Sequence, residues 1–269
     1  MQPFQGCTAI VTGASAGIGR EFARQLAPHA RQLILIGRRL DRLETLKSEL
    51  ARPALTVRCH ALDLANAGEL EIFLENLTDA DEVDLLVNNA GVGDHGLFEE
   101  GSWPRVQAML DTNIRALTRL THFLLPRLIR AHRGTILNVS SISAFMPVPM
   151  TAVYAATKAY VSSLTEALRA ELRGTGVTVT ALCPGPITTE FFARAERPGA
   201  PSDVPMPAIF KITAAEAARE GLKAAGRKRA RVISGWTVWG AMMVLSLIPI
   251  GIFRLLLPGR ERLKRFSQK

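Results

Sequence analysis

Short apolar runs alternate with longer helical patterns along most of this 269-residue chain. The apolar runs, each the length of one strand, begin near residue 7 and then fall at 32–36, 55–61, 83–87, 135–139, 177–182 and 230–234. Because parallel strands need long crossovers, which helices usually provide, this order predicts an α/β fold with a doubly wound parallel sheet. With 48% hydrophobic and 21% charged residues, the chain can bury the core of one such domain.

A glycine-rich turn follows the first predicted strand, in the run CTAIVTGASAGIG at 7–19. Gly13, Gly17 and Gly19 let another group approach the backbone closely, and the helix that begins here presents N–H groups and the positive end of its dipole. These are the properties of a phosphate-binding turn. The spacing is G-x-x-x-G-x-G rather than the commoner G-x-G-x-x-G, so a simple tight connection is the alternative.

The second predicted strand ends at Gly37, Arg38 and Arg39. In dinucleotide-binding folds an acidic residue near this point binds the ribose hydroxyls of NAD, whereas arginine suits the 2′-phosphate of NADP. No acid stands at the strand end, and Asp41 lies further on in the next helix. The pattern favours NADP. The alternative, two arginines at the solvated start of a helix, places positive charge at the unfavourable end of the helix dipole.

Tyr154 and Lys158 lie four positions apart in a helical pattern, so one helix face presents a phenol beside an ammonium group. A free tyrosine has a pKa of about 10, and a cation within a few Å lowers that pKa, which makes proton transfer near neutral pH possible. Any amphipathic helix can carry such a pair, so alone it is weak. Ser141, at the end of the preceding strand, is close enough in sequence for its hydroxyl to join the same point.

Three further polar groups follow predicted strands or interrupt a helix. Asp63 and Leu64 follow the strand at 55–61, where Asp63 is equally compatible with an ordinary turn or cap. The run 88–91, Asn-Asn-Ala-Gly, follows the strand at 83–87, at the sheet edge where α/β proteins bind ligands. Asn113 lies within a long helical pattern at 103–131, although asparagine disfavours helix interiors, which hints at a specific role.

Taken in order, these residues resemble the short-chain dehydrogenase/reductase family. The resemblance rests on the run 12–19 (TGASAGIG), the run 88–91 (NNAG), Asn113, Ser141, the Tyr154-x-x-x-Lys158 pair and the Pro184-Gly185 step, and it covers roughly residues 5–235. It implies a Rossmann fold with a seven-stranded parallel sheet, and hydride transfer by a nicotinamide cofactor.

The resemblance also implies roles for four residues. Tyr154 would be the general acid when a ketone is reduced, and Ser141 would hydrogen-bond the substrate oxygen. Lys158 would lower the tyrosine pKa and hold the nicotinamide ribose, and Asn113 would position a water in the proton relay. Ser140, beside Ser141, is assigned to structure because the family spacing selects Ser141.

By the same resemblance, NADP(H) would contact residues from every loop at the carboxyl edge of the sheet. The predicted contacts are Gly13, Ser15, Ala16, Gly17, Ile18 and Gly19 at the phosphates and adenosine ribose, Arg38 and Arg39 at the 2′-phosphate, and Asp63 and Leu64 at the adenine. Asn89, Ala90 and Gly91 would meet the middle of the cofactor, Tyr154, Lys158, Pro184 and Gly185 its nicotinamide end, and Ile187 and Thr189 the carboxamide.

Composition excludes other classes. The net charge of +9 is compatible with nucleic acid, anionic lipid or a phosphorylated ligand, but aromatic content is 6% and no basic run with interleaved aromatic residues occurs, so nucleic acid is not expected. The five histidines show no metal-binding spacing, so no metal site is expected. The three cysteines fall in apolar runs, which indicates a reducing compartment, and no signal peptide precedes the first strand. A cytoplasmic protein is predicted.

Beyond a predicted Rossmann domain at 1–235, the chain ends in an extension at 236–269 whose apolar part is predicted to be helical and whose end is basic. The apolar part carries no polar face, contains Pro249, and is followed by basic residues at 254, 260, 262, 264 and 265. Three arrangements are compatible with this pattern: shallow docking of 236–257 on the cytoplasmic membrane face, packing against a partner subunit or over the active site, and a membrane span of borderline length.

The predicted substrate is a lipophilic carbonyl compound or the corresponding alcohol. A loop at 145–150 and a mobile flap at 187–207, which carries Phe191 and Phe192, offer mostly apolar groups, although they could simply pack on each other. The tail gives a looser likeness to bacterial lipid-ketone reductases of the family. We therefore predict NADPH-dependent reduction of a ketone or aldehyde by a homodimer or tetramer. The alternatives are alcohol oxidation and a membrane-docked NADP-binding protein with little turnover.

Overall fold

The computed structural model describes residues 2–78, 81–187, 190–197 and 208–259. Seven strands form one sheet in the order β3-β2-β1-β4-β5-β6-β7, and every neighbouring pair is parallel. The strands are β1 (Thr8–Thr12), β2 (Gln32–Gly37), β3 (Thr56–Ala61), β4 (Val83–Asn88), β5 (Gly134–Val139), β6 (Val177–Pro184) and β7 (Arg231–Ser234). The predicted seven-stranded Rossmann sheet is confirmed.

Helices connect the strands and follow the last of them. They are α1 (Gly17–Leu26), α2 (Leu40–Leu50), α3 (Ala67–Glu75), α4 (Trp103–Leu110), α5 (Leu117–Arg130), α6 (Ala152–Glu171), α7 (Glu190–Ala195), α8 (Ala214–Gly226), α9 (Trp236–Ser246) and α10 (Ile250–Leu256). Short 3₁₀ turns at Gln2–Phe4, Phe98–Glu100, Ile142–Phe145 and Ala208–Phe210 complete the described elements.

The core has two layers because successive residues of a strand point to opposite faces of the sheet. Val11 and Leu35 lie on one face, where Phe22 of α1 and Leu222 of α8 pack against them. The alternate strand residues, such as Ile10, Ile34 and Ile36, lie on the other face with Leu70 of α3 and Leu124 of α5. Both faces of the sheet are therefore covered, which explains why its strands are continuous apolar runs.

The strand order reverses between β1 and β4, which lie side by side at the centre of the sheet. Chain connections leave this pair in opposite directions, so a crevice opens beyond their carboxyl ends. The glycine-rich turn follows β1 at this edge, and the run from Asn88 to Gly91 follows β4. The topology thus brings two of the predicted motifs to one place.

The long helix predicted at 103–131 differs from the structure in one respect. It is divided into α4 and α5 by a π-helical turn at Asp111–Ala116. A π-turn inserts an extra residue into the helical ladder and is common at functional sites, and this one contains Asn113. Its cost is offset by the hydrogen bonds that the asparagine makes from that position, as described below.

The flap contains a helix that was not predicted, and the tail, which was predicted to be helical, is divided into two helices. Within the flap at 187–207, residues Glu190–Ala195 form α7, while 188–189 and 198–207 lie outside the described residues. The apolar tail forms two short helices, α9 and α10, because Pro249 ends the helical ladder between them. Within the described ranges, no helix has both the length and the apolar character needed to cross a bilayer.

Candidate active site

Thr12 ties the ends of β1 and β4 together. Its hydroxyl donates to the Val87 carbonyl at 3.2 Å and accepts from the backbone N–H groups of Asn89 and Ala90, both at 2.9 Å. The Asn89 side-chain amide donates back to the Thr12 carbonyl at 2.9 Å. These bonds fix the crevice between the two strands, and they give Asn89 a structural role beside its predicted cofactor contact.

The glycine-rich turn is packed too closely to admit other residues. Gly13 has a φ of +67°, and a Cβ there would lie 2.9 Å from the Ala90 Cα. A Cβ on Gly19 would lie 2.5 Å from the Asn89 amide nitrogen. Ala16 is the N-cap of α1 and offers no side-chain acceptor to the first N–H groups of the helix. This turn therefore has the donors and dipole of a phosphate site.

Asn113 links the π-turn to two neighbouring elements and is fully buried. Its amide donates to the Val92 carbonyl at 2.9 Å and to the Thr157 hydroxyl of α6 at 3.0 Å, and its oxygen accepts from the Val92 N–H at 2.9 Å. A Cβ on Gly91 would lie 3.4 Å from both the Asn113 oxygen and the Lys158 ammonium. Asn113, Gly91 and Lys158 therefore lie close together.

The two buried serines after β5 make different contacts. The Ser140 hydroxyl lies 2.8 Å from both the Lys158 carbonyl and the Ser162 hydroxyl, so it anchors α6 to the sheet. Ser141 caps the next turn by accepting from the Ser143 N–H at 3.1 Å, and its hydroxyl also hydrogen-bonds Tyr154. This arrangement agrees with the assignment of Ser140 to structure.

The pKa of the Tyr154 phenol differs from the value expected from the sequence, and the pKa of Lys158 is also shifted. Burial raises the pKa of Tyr154 to about 12, although the hydrogen bond with Ser141 acts in the lowering direction. Burial lowers the pKa of Lys158 to about 8. The Lys158 ammonium donates to the Val139 carbonyl at 2.8 Å and lies 5.8 Å from the centre of the Tyr154 ring.

The predicted lowering of the tyrosine pKa by Lys158 is therefore not found in this structure. The amine points to a backbone carbonyl, and its own reduced pKa weakens its positive charge near pH 8. A phenol with a pKa of about 12 keeps its proton at neutral pH. That is the protonation state that a general acid needs for carbonyl reduction.

The two predicted cofactor arginines belong to a larger cluster. Arg39 lies 3.5 Å from the Ser15 hydroxyl and donates to Glu190 at 3.0 Å, while Arg42 and Arg194 bind the same carboxylate. Arg38 lies 3.9 Å from the Asp63 carboxylate. The arginine side chains hold the pKa of Glu190 at about 2. The excess of guanidinium groups at this end of the crevice suits a phosphate.

The remaining predicted cofactor residues that the structure describes follow β3 or lie at and after the end of β6. Asp63 closes a turn by accepting from the Ala65 N–H at 3.0 Å, and Leu64 packs in the core. Pro184 ends β6, and Gly185 leaves no room for a side chain beside Val238 of α9. Ile187 is buried and Thr189 lies outside the described residues.

Phe191 was expected only to offer an apolar group to the substrate, and Glu190 and Arg42 were not predicted from the sequence. Phe191 lies over Tyr154, with ring centroids 5.3 Å apart, and it fills the space beside Gly93. Glu190 lies among the arginine side chains, and Arg42 donates a hydrogen bond to its carboxylate at 2.5 Å. Arg42 lies one helical turn after Arg39, a spacing that could have identified it; Glu190 carries no comparable signal because it is distant in sequence.

A cavity of about 300 Å³ opens beside α6. Its wall includes Val153, which precedes Tyr154 in α6, and the other apolar lining residues are Leu97, Phe98, Val106, Met109, Pro149, Met150 and Ala152. The residues of the site thus provide phosphate-binding N–H groups and guanidinium groups at one end, and a hydroxyl pair beside an apolar cavity at the other. This set of donors fits a phosphorylated dinucleotide.

Comparisons with known sequences agree with this geometry. A family profile described as short chain dehydrogenase matches residues 7–198. Sulfoacetaldehyde reductase of Chromohalobacter salexigens is 40% identical over 190 residues, which cover 68% of this chain and 73% of that protein. An NADP-dependent 3-hydroxy acid dehydrogenase of Salmonella typhi is 38% identical over 186 residues, which cover 68% of this chain and 73% of that protein.

Solved structures show the same fold over more of the chain. A short-chain dehydrogenase from Sphingobium yanoikuyae in complex with NADPH has a TM-score of 0.77 and 30% identity, covering 93% of this chain and 94% of that one. A bulky-bulky ketone specific alcohol dehydrogenase from Comamonas testosteroni has a TM-score of 0.75 and 26% identity, covering 92% and 94%. The chain therefore belongs to the short-chain dehydrogenase/reductase family of oxidoreductases, which act on alcohol and carbonyl groups.

Proposed function

We propose that the protein reduces a lipophilic ketone or aldehyde to the alcohol with NADPH. The observation that carries this proposal is that α6 carries Tyr154, which hydrogen-bonds Ser141 and lies near Lys158, and that the same helix lines a mainly apolar cavity through Ala152 and Val153. NADPH supplies the hydride when it is bound. The same groups serve alcohol oxidation in reverse, and the cofactor ratio in the cell then sets the direction.

The proposed proton chemistry uses the groups of α6 and the loop after β5. Tyr154 donates its phenol proton to the carbonyl oxygen, and the Ser141 hydroxyl donates a hydrogen bond to the same oxygen. Two preplaced donors stabilise the negative charge that grows there during reduction. Lys158 is held against the Val139 carbonyl, and Asn113 fixes the adjoining loop through Val92. Lys158 would return a proton to the tyrosine through a water, and Asn113 would position that water.

The proposed cofactor contacts follow the edge of the sheet. The turn from Gly13 to Gly19 would hold the phosphates, and Arg38 and Arg39 would hold the 2′-phosphate. Relatives support this cofactor, because one is named NADP-dependent and another was solved with NADPH. Asn89, Ala90 and Gly91 would line the middle of the cofactor, with Pro184, Gly185 and Ile187 near its nicotinamide end.

The charge distribution beside the cavity supports a lipophilic substrate over a small anion. Arg197 lines the cavity, and Asp94 neutralises its guanidinium group. The Nη2 atom of Arg197 donates to the Asp94 carboxylate at 2.6 Å, and its Nη1 atom donates to the Leu97 carbonyl at 2.8 Å. Arg105 donates to the same carboxylate at 2.9 Å. Burial opposes ionisation of Asp94, but the two arginines prevail and lower its pKa. These guanidinium groups are thus engaged within the protein.

The tail supports docking on an anionic membrane surface. Val238 and Met242, one turn apart, bury one side of α9 against the body of the protein. Other apolar side chains of the tail are exposed: Trp236 is 82% exposed, Leu247 80% and Leu255 85%. Arg254 lies among them, and the sequence adds basic residues at 260, 262, 264 and 265, outside the described residues. Exposed tryptophan, leucine and basic side chains suit the interface between headgroups and acyl chains.

The Tyr154→Phe variant tests the proton donor. We expect kcat to fall by roughly 10²- to 10⁴-fold, because the general acid is lost, while NADPH binding stays within about twofold. Tyr160→Phe is the matched control, since it removes the other tyrosine hydroxyl of α6, which contacts Thr118 at 2.9 Å. Steady-state rates and cofactor titrations provide the measurement. Full activity in Tyr154→Phe would show that another group is the acid, and the absence of turnover in the wild-type protein would favour a binding protein.

A series of aldehydes and ketones of increasing chain length tests the substrate class. We expect kcat/KM to rise by roughly three- to fourfold for each added methylene until the cavity is filled, because each buried CH₂ group adds about 0.8 kcal/mol. Sulfoacetaldehyde, the substrate in the name of one relative, is the anionic comparator and should react poorly. A rate that does not depend on chain length, or a preference for sulfoacetaldehyde, would contradict a lipophilic substrate.

Vesicle flotation tests membrane docking. The full-length protein should float with anionic vesicles and stay below neutral ones, and the double variant Leu247→Glu, Leu255→Glu should reduce binding on the order of 100-fold. Ile72→Glu is the control, because Ile72 is 61% exposed on α3, away from the tail. Equal flotation of the tail variant and the control would reject this surface.

A further inference from the structure

We propose that Glu190 competes with the 2′-phosphate of NADP(H) for the same arginine side chains, and so sets how strongly the protein discriminates NADPH from NADH. The inference rests on the proposed use of NADP(H). It assigns a specificity-determining role to a residue of the flap that the family motifs do not include. Its basis is the contact between α7 and the start of α2.

The Glu190 carboxylate is bound in the manner of an anionic ligand. One oxygen accepts from Arg42 at 2.5 Å, and the other accepts from Arg39 at 3.0 Å and Arg194 at 2.8 Å. A phosphate presents the same kind of acceptor oxygens to guanidinium groups, with a larger charge. A carboxylate held at these donors therefore takes hydrogen bonds that a nearby phosphate would otherwise receive.

The position of the cluster connects it to the adenosine end of the cofactor site. Arg39 is the N-cap of α2, directly after the end of β2, and its Nη2 lies 3.5 Å from the Ser15 hydroxyl of the glycine-rich turn. Gly37 lies against the same serine. The end of β2 is where dinucleotide folds bind the adenosine ribose, so Glu190 reaches this point from a loop at the opposite half of the sheet.

The charges of the cluster favour replacement of Glu190 by a more highly charged anion. The guanidinium groups of Arg39, Arg42 and Arg194 all donate to this one carboxylate, so their positive charge exceeds its negative charge. Burial and the neighbouring guanidinium groups lower the pKa of Arg194, although Glu190 acts in the opposite direction. A phosphate with up to two negative charges balances them better.

The same short helix also lies on the catalytic tyrosine. Phe191 follows Glu190 directly, and its ring centroid is 5.3 Å from that of Tyr154. The outer edge of the Phe191 ring packs against the backbone of Gly93. Release of Glu190 by the 2′-phosphate would therefore free the helix end that covers Tyr154. NADH carries no 2′-phosphate and would leave the contact in place.

The test compares Glu190→Gln with Glu44→Gln in titrations of the full-length protein with NADPH and NADH. Glu44 lies on α2 near the cluster, pairs with Lys47 at 3.1 Å, and has a side chain as exposed as that of Glu190, 47% in each case. Both variants remove one negative charge. We expect Glu190→Gln to tighten NADPH binding by roughly five- to tenfold, as exposed ion pairs each contribute modestly, and to leave NADH binding within about twofold.

Glu44→Gln should change neither affinity by more than about twofold, and added salt should reduce the effect of Glu190→Gln. Adenosine 2′,5′-bisphosphate should reproduce the tightening, whereas 5′-AMP should not. Unchanged or weaker NADPH binding in Glu190→Gln would overturn the competition, as would equal tightening for NADH. A wild-type protein that binds NADPH no better than NADH would instead contradict the proposed cofactor.

Discussion

The set of hydrogen bonds from Thr12 to Val87, Asn89 and Ala90 holds the whole site in place. It joins the ends of the two central strands where the strand order reverses, so the crevice that must receive the cofactor has rigid walls. A hydroxyl is well suited to this junction, because it donates one bond and accepts two others. The glycine-rich turn on one side and the loop carrying Gly91 on the other then approach to within van der Waals contact.

A second set of hydrogen bonds positions α6 against the central strands. The Ser140 hydroxyl donates to the Lys158 carbonyl, and the Lys158 ammonium donates to the Val139 carbonyl. The Asn113 amide donates to the Thr157 hydroxyl. The residues proposed to transfer protons are thereby carried by one long helix that is bonded to β5 and to the π-turn. Buried polar side chains that each have defined partners favour one arrangement of the site over others. The π-turn has a physical reason here, since it directs Asn113 towards both Val92 and α6.

Sequence reasoning predicted the parallel sheet well because apolar runs and helical patterns report burial directly. It also brought Ser141, Tyr154 and Lys158 together, since the spacing between a strand end and a helix limits where they can lie. It did not predict the raised pKa of Tyr154, which depends on how many protein atoms surround the ring. Nor did it identify Glu190, which meets Arg39 and Arg42 only through tertiary contacts between distant segments. The proline at 249 that divides the tail can be read from the sequence. The packing of the Val238 side chain against Gly185 could not be predicted from it.

The tail and the flap are physically connected to the site. The hydroxyl of Thr237 in α9 donates to the Ile209 carbonyl at 2.7 Å, and Val238 packs on the loop after β6. The membrane surface proposed to bind α9 would therefore lie beside the turn at Ala208–Phe210, which follows the flap.

The central claim is that this chain transfers a hydride from NADPH to a carbonyl carbon. The most direct measurement uses NADPH with deuterium at both C4 positions of the nicotinamide and a long-chain ketone, with mass spectrometry of the product. The account predicts an alcohol one mass unit heavier, with the deuterium on the carbinol carbon. An unlabelled alcohol, or no alcohol at all from any carbonyl compound, would contradict it.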